Sequence, residues 1–167
     1  MKKFGIFFGS STGTTEEIAH KIAGLLNIDS ADVHNVATTA PDAVADYEVL
    51  LLGSSTWGSG ELQDDWYDFL TGLEALDLKG KKIAIFGLGD ESMSDTFCNA
   101  VGIIHKSLQP TGATFIGRYP DSVYHFEESE ANENGEGLGL LLDEVNHPEL
   151  TDERLKGWVA ELEAQTK

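Results

Sequence analysis

Five hydroxyl side chains and two glycines fall within seven consecutive residues, Gly9-Ser10-Ser11-Thr12-Gly13-Thr14-Thr15. Hydroxyls and backbone N–H groups gathered at a helix N-terminus can bind an anion without any cationic side chain. The lysine of a G-x-x-x-x-G-K-[ST] phosphate loop is missing, and the G-x-G-x-x-G dinucleotide turn is missing as well. The pattern therefore points to a phosphate held by neutral donors. A T-x-x-E capping box of Thr14 and Glu17 is the plainer alternative, but it explains Thr14 and leaves the other four hydroxyls over.

Two further glycine-rich segments carry residues suited to a flat ligand. Gly53-Ser54-Ser55-Thr56-Trp57-Gly58-Ser59-Gly60-Glu61-Leu62 places a tryptophan among glycines, where it can cover a ring as readily as fold back onto the domain. Gly87-Leu88-Gly89-Asp90-Glu91-Ser92-Met93-Ser94-Asp95-Thr96 lets its backbone approach a ligand closely. Its Gly-Leu-Gly start has Ser92 where a dinucleotide turn needs a third glycine. None of the three segments contains Lys or Arg.

Each segment follows an apolar run, and these runs tell which elements position them. Phe4 to Phe8, Val49 to Leu52 and Lys82 to Phe86 read as strands, apolar at nearly every position as a sheet covered on both faces demands. Weaker strand patterns cover Ala31 to Val36 and Ala113 to Ile116. Helical spacing begins at Thr14, with Ile18, Ala19, Ile22, Ala23, Leu25 and Leu26 on one face. It recurs over residues 63–73 and in the series Phe97, Ala100, Val101, Ile104 and Leu108. Pro41 opens a short helical stretch, and a last helix is expected from Thr151, with Leu155, Trp158, Val159 and Leu162 on its buried side. This β-α alternation predicts an α/β fold: a doubly wound, five-stranded parallel sheet with helices on both faces. Ligands of such sheets bind beyond the carboxyl ends of the strands, where the three segments lie. Between Arg118 and Gly139 a polar, acidic stretch breaks the alternation before Leu138 to Leu142 resumes a strand, so the last strand is interrupted by a long insertion.

The chain has 167 residues, 29 Asp+Glu against 11 Lys+Arg, and a formal charge of −18. That length predicts a single domain, 1–167. The charge argues against a nucleic-acid or anionic-membrane binder. The single cysteine, Cys98, excludes an intrachain disulfide or a multi-thiolate metal site. The apolar run at residues 4–8 is too short for a signal segment, so a cytoplasmic location is expected. The five histidines show no ligand spacing and no metal is expected. Cys98, Trp66 and Trp158 read as packing residues.

Taken together, these motifs resemble the flavodoxin family and its long-chain subgroup. Ser10-Ser11-Thr12-Gly13-Thr14-Thr15 is similar to that family's [ST]-x-T-G-x-T phosphate loop. Thr56-Trp57 is similar to its inner flavin-stacking loop, and Gly87-Leu88-Gly89-Asp90 with Phe97-Cys98 to its outer loop. Gly139 to Glu144, then Pro148 to Thr151, Arg154 and Trp158, resembles its carboxyl-terminal stretch. The likeness spans essentially the whole chain. It implies sheet order 2-1-3-4-5 and non-covalently bound FMN. Ser10 to Thr15 would hold the phosphate. Ser55, Thr56, Trp57, Gly58, Ser59 and Gly60 would line the inner face, and Leu88, Gly89, Asp90, Met93, Phe97 and Cys98 the outer face and pyrimidine edge. Met93 stands where long-chain members usually carry a Tyr, in a loop one residue shorter.

The activity the resemblance implies is low-potential one-electron transfer between semiquinone and hydroquinone, with no substrate chemistry. Its partners would be basic redox proteins, such as a flavin reductase and a low-potential acceptor, met by a monomer. The Gly58–Ser59 peptide would flip on reduction, which glycine tolerates. Residues 119–153 hold eleven carboxylates and no Lys or Arg. A carboxylate about 10 Å from a reduced flavin raises its energy by roughly 0.4–0.8 kcal/mol at an effective dielectric of about 40–80. Several together would lower the potential and steer basic partners. An FMN-dependent quinone or nitro reductase is the alternative, disfavoured by loops without a cation to grip a nicotinamide donor. A phospho-acceptor domain lacks its acids after the first and third strands.

Overall fold

The computed structural model describes residues 2–57, 60–93, 96–134 and 136–167. Besides a short antiparallel strand, Glu61–Leu62, paired with the end of the third strand, the strands of its central sheet are β1 (Lys2–Gly9), β2 (Val33–Asn35), β3 (Tyr47–Trp57), β4 (Lys82–Leu88), β5 (Thr114–Phe115) and β6 (Leu140–Leu142). They are parallel, in the order β2-β1-β3-β4, and β5 and β6 both pair with β4. Thr114 lies against Lys82 at the start of β4, and Leu142 against Leu88 at its end. The expected fifth strand is thus present in two pieces, with the insertion leaving and re-entering between them.

Among the described residues four α-helices cover the sheet: α1 (Thr14–Leu26), α2 (Trp66–Glu74), α3 (Asn99–Leu108) and α4 (Pro148–Gln165). Alternate residues of each strand serve opposite faces. Leu50 and Leu52 pack with Trp66, Phe69, Val101 and Ile104 of α2 and α3. Val49 and Leu51 pack with Ile18 and Ile22 of α1 and Trp158 of α4. Two cores explain why β3 is apolar without alternation.

Several boundaries depart from the sequence reading, among them β3, which runs from Tyr47 to Trp57 rather than Val49 to Leu52. Ser30–Asp32 winds into a 3₁₀ turn whose Asp29 carboxylate accepts the Ala31 N–H, so only Val33–Asn35 remains as strand. Residues 63–65 form a turn ahead of α2. The last helix starts at Pro148 rather than Thr151, because a proline at the first position gives up no helical hydrogen bond.

The insertion forms a small antiparallel sheet of Tyr119–Pro120, Glu136–Gly137 and Asn132–Glu133. Arg154 of α4 fastens it to the main sheet. Its guanidinium donates to the carbonyls of Leu141 (3.3 Å) and Pro120 (2.8 Å) and lies over the rings of Tyr119 and Tyr124.

Candidate functional site

Register brings the three glycine-rich loops together. Gly9 pairs with Ser54, Ser55 with Leu88, and Leu88 with Leu142, so four strands end side by side. The loops that follow them must meet at this edge, beside the point where the chain order reverses between β1 and β3.

The first loop turns into α1 through Gly13, whose φ of 90° is a left-handed conformation that glycine adopts without strain. Gly13 is the N-cap, and no side chain caps the helix. The alternative Thr14–Glu17 box is therefore not formed: Thr14 is already the first helical residue. The Gly13 N–H donates to Ser10 Oγ at 3.0 Å, and the first helical bond runs from Glu17 N to Gly13 O. The N–H groups of Thr14, Thr15 and Glu16 thus precede the helical ladder. Ser11, Thr12 and Gly13 are exposed beside them. Thr15 is buried at 1 % exposure, so it contributes backbone rather than hydroxyl at the surface.

A residue without any sequence signature, Gln63, braces this loop. Its Nε2 donates to Ser11 Oγ at 3.0 Å and to Asp65 Oδ2 at 2.8 Å. Its own N–H donates to Ser54 Oγ at 3.3 Å. Gly9 leaves room for it, since a Cβ there would lie 2.3 Å from Gln63 Oε1.

In the second loop Trp57 is 42 % exposed, and its Nε1 donates to Ser55 Oγ at 2.7 Å. It does not fold back into the core. Thr56 turns inward instead, its Oγ1 accepting the Ala100 N–H at 3.0 Å in the first turn of α3. Gly60 closes the turn with its N–H on Trp57 O, and a Cβ there would sit 2.6 Å from Asn99 Nδ2. Thr56 and Gly60, expected at the ligand, hold the second loop against the first turn of α3. Gly58 and Ser59 lie outside the described residues.

In the third loop Met93 is 49 % exposed. Leu88, Phe97 and Cys98, also expected at the ligand, are buried. Phe97 packs on Tyr124 and Phe126 of the insertion, and Cys98 Sγ faces the carbonyls of Gly87 and Leu142. Burial pushes the Cys98 thiol well above its ordinary range. The Gly89 N–H is committed to Leu142 O. Asp90 accepts from Ser92 N, Ser92 Oγ and Asn146 Nδ2, and the Ser92 hydroxyl is the chief reason its carboxyl sits below the usual range.

Ligand-type atoms of Glu91, Asp143 and His147 lie within 4.8 Å of one another. Both Asp143 oxygens already accept N–H bonds, Oδ1 from Val145 and Asn146, Oδ2 from Glu91 and the Asn146 side chain. The cluster is a hydrogen-bond hub beneath the third loop. Among the described residues no helix is long and apolar enough to cross a membrane.

A doubly wound sheet with an uncapped helix N-terminus, an exposed tryptophan and a glycine-rich third loop at one edge has the form of an open α/β protein whose site suits a phosphate-bearing ligand. The flavodoxin family model matches residues 6–158, and the chain belongs to that family. It is 45% identical over 163 residues to Flavodoxin 1 of Salmonella typhimurium, covering 96% of this chain and 93% of that protein. It is 46% identical over 160 residues to Flavodoxin 1 of Escherichia coli, covering 95% and 91%. The crystal structure of Fusobacterium nucleatum flavodoxin bound to flavin mononucleotide matches with a TM-score of 0.91 at 32% identity, covering 100% of both chains.

Proposed function

We propose that residues 1–167 act as one domain and as a monomeric one-electron carrier in the cytoplasm, using non-covalently bound FMN. The observation that carries this reading is the start of α1, where Gly13 is the N-cap, no side chain caps the helix, and the Ser11 and Thr12 hydroxyls stand exposed. Such a donor set suits a phosphate ester, and the helix dipole favours its negative charge.

Bound FMN supplies the redox chemistry, taking up and releasing electrons one at a time. Residues 10–15 would hold its phosphate. Trp57 would cover one ring face and Met93 lie by the other, while the backbone from Leu88 to Asp90 would address the ring edge. With no cation in these loops, the surrounding carboxylates act on the ring uncompensated and hold its potential down. The same acids, Glu61, Asp64, Asp65, Asp68 and Asp90 among them, form a rim that steers basic redox partners, a reductase on one side and a low-potential acceptor on the other.

Stepwise reduction of the FMN-reconstituted protein, followed in the visible spectrum, tests the reading. Two resolved one-electron steps, with partner reduction slowing as ionic strength rises, are expected. A protein that stays colourless after incubation with FMN would remove it.

A further inference from the structure

His147 stands between two carboxylates. Its Nε2 lies 2.5 Å from Glu91 Oε1 in the third loop, and its Nδ1 lies 3.3 Å from Glu149 Oε1 in the first turn of α4. A neutral imidazole has one N–H, so one carboxylate would then face a ring lone pair. Only the imidazolium donates to both. His147 is also the N-cap of α4, where the helix dipole disfavours a cation, so the charge is kept there by the carboxylates.

Glu91 passes the restraint on. Its Oε2 accepts the His125 N–H of the insertion at 2.9 Å, and its own N–H is held by Asp143 Oδ2. Met93 follows two residues later, its N–H on Asp90 O. The loop, the insertion and the start of α4 are tied at one point.

We propose that His147 and Glu91 are positioning residues for the third loop, the charged bridge holding Asp90 to Met93 in place for the ligand, so that cofactor retention weakens when His147 loses its proton. This rests on FMN as the ligand. Glu91 chiefly, then Glu149, raises the His147 pKa above its usual 6.5, while the His125 N–H and His147 lower that of Glu91 below 4.5. Asp143, Asp90, His125 and the Tyr124 ring at 5.8 Å complete the surroundings of the bridge. A histidine with a raised pKa stabilises at pH below its ordinary value and ceases to do so as pH rises through the raised one. A carboxylate with a lowered pKa does the reverse on the acid side. The bridge is intact between these limits.

The test is FMN titration of the apoprotein by fluorescence from pH 6 to 9 at fixed salt, for wild type, His147→Gln and Glu91→Gln, with His147 followed by NMR. The FMN phosphate titrates near pH 6 in all three proteins, so the differences between them carry the result. The wild-type Kd should rise about fivefold as His147 deprotonates, as expected for loss of a charged hydrogen bond, and both variants should stay near the high-pH value throughout. The His147 pKa should exceed 6.5 and fall in Glu91→Gln. Equal pH profiles in wild type and His147→Gln, or a His147 pKa at or below 6.5, would overturn the proposal. Failure of the wild-type protein to take up FMN at every pH would instead remove the FMN reading, and the His147 resonance in the apoprotein would still decide the bridge.

Discussion

Gln63 and Ser11, 52 residues apart, are joined by a 3.0 Å hydrogen bond from the Gln63 amide to the Ser11 hydroxyl. The amide cannot turn over, because its Oε1 accepts the Asp65 N–H at 3.0 Å. The two hydroxyl-bearing loops are thus spaced by one buried side chain, 1 % exposed. Replacing Gln63 by Leu should leave Ser11 and Asp65 without their partner. FMN affinity should fall about tenfold, or ~1.4 kcal/mol, and the apoprotein should lose about 1–2 kcal/mol of stability. FMN titration and urea unfolding measure the two effects separately.

The exposed Trp57 and Met93 differ in what they offer a ring. An aromatic face contributes about 0.5–1.5 kcal/mol beyond buried area. Trp57→Ala should therefore weaken FMN binding at least about tenfold, counting lost area as well. Met93→Tyr should strengthen it by about two- to tenfold. Dissociation constants of the two variants against wild type check this.

At the opposite end of the sheet Asp32 accepts from Lys2 Nζ and from Tyr47 Oη, both at 2.8 Å. Its carboxyl lies below the usual range, chiefly through the Lys2 hydrogen bond. A lowered carboxyl pKa adds stability above its unfolded value and withdraws it as pH falls through the folded one. Between about pH 5 and pH 3 the urea midpoint of wild type should fall more steeply than that of Asp32→Asn. Tyr47, whose phenol is pushed up by burial, stays neutral throughout.

Cys98 has no exposed surface and its thiolate is disfavoured by burial. A thiol reagent at pH 8 should label it only as fast as the protein opens. Labelling of the native protein at the rate of a free thiol would contradict the packing described above.

Much of this was readable beforehand, and the limits fall where physics says they must. Val49 to Leu52 and the Gly9–Thr15 loop declare themselves through local pattern, because burial on two faces and turn chemistry act residue by residue. Thr14 and Glu17 have the spacing of a capping box, but the left-handed Gly13 moves the cap one residue earlier. Thr56 and Gly60 read from the sequence as ligand-loop residues, and their packing on the first turn of α3 shows only in the fold. Gln63 has no pattern at all, since its role depends on a gap beside Gly9 that only the folded sheet creates. The two-residue strands of the insertion owe their form to anchors elsewhere, including Ser129 on the Phe97 carbonyl and Glu130 N–H on Asn99 Oδ1.

The row of strand ends at Gly9, Ser54, Leu88 and Leu142 has a consequence for how the chain matures. The three loops follow β1, β3 and β4, but the third is held from beneath by Asp143, which directly follows β6 near the carboxyl end and accepts the Glu91 N–H. Cofactor capture should therefore favour a finished sheet: a chain truncated before β6 keeps the three loops but loses the Asp143 carboxylate that holds the Glu91 N–H. FMN at about a hundredfold its Kd would add ~2.7 kcal/mol to the native state and nothing to any earlier one. Bound ligand would then favour completed molecules over unfinished ones as well as carry electrons.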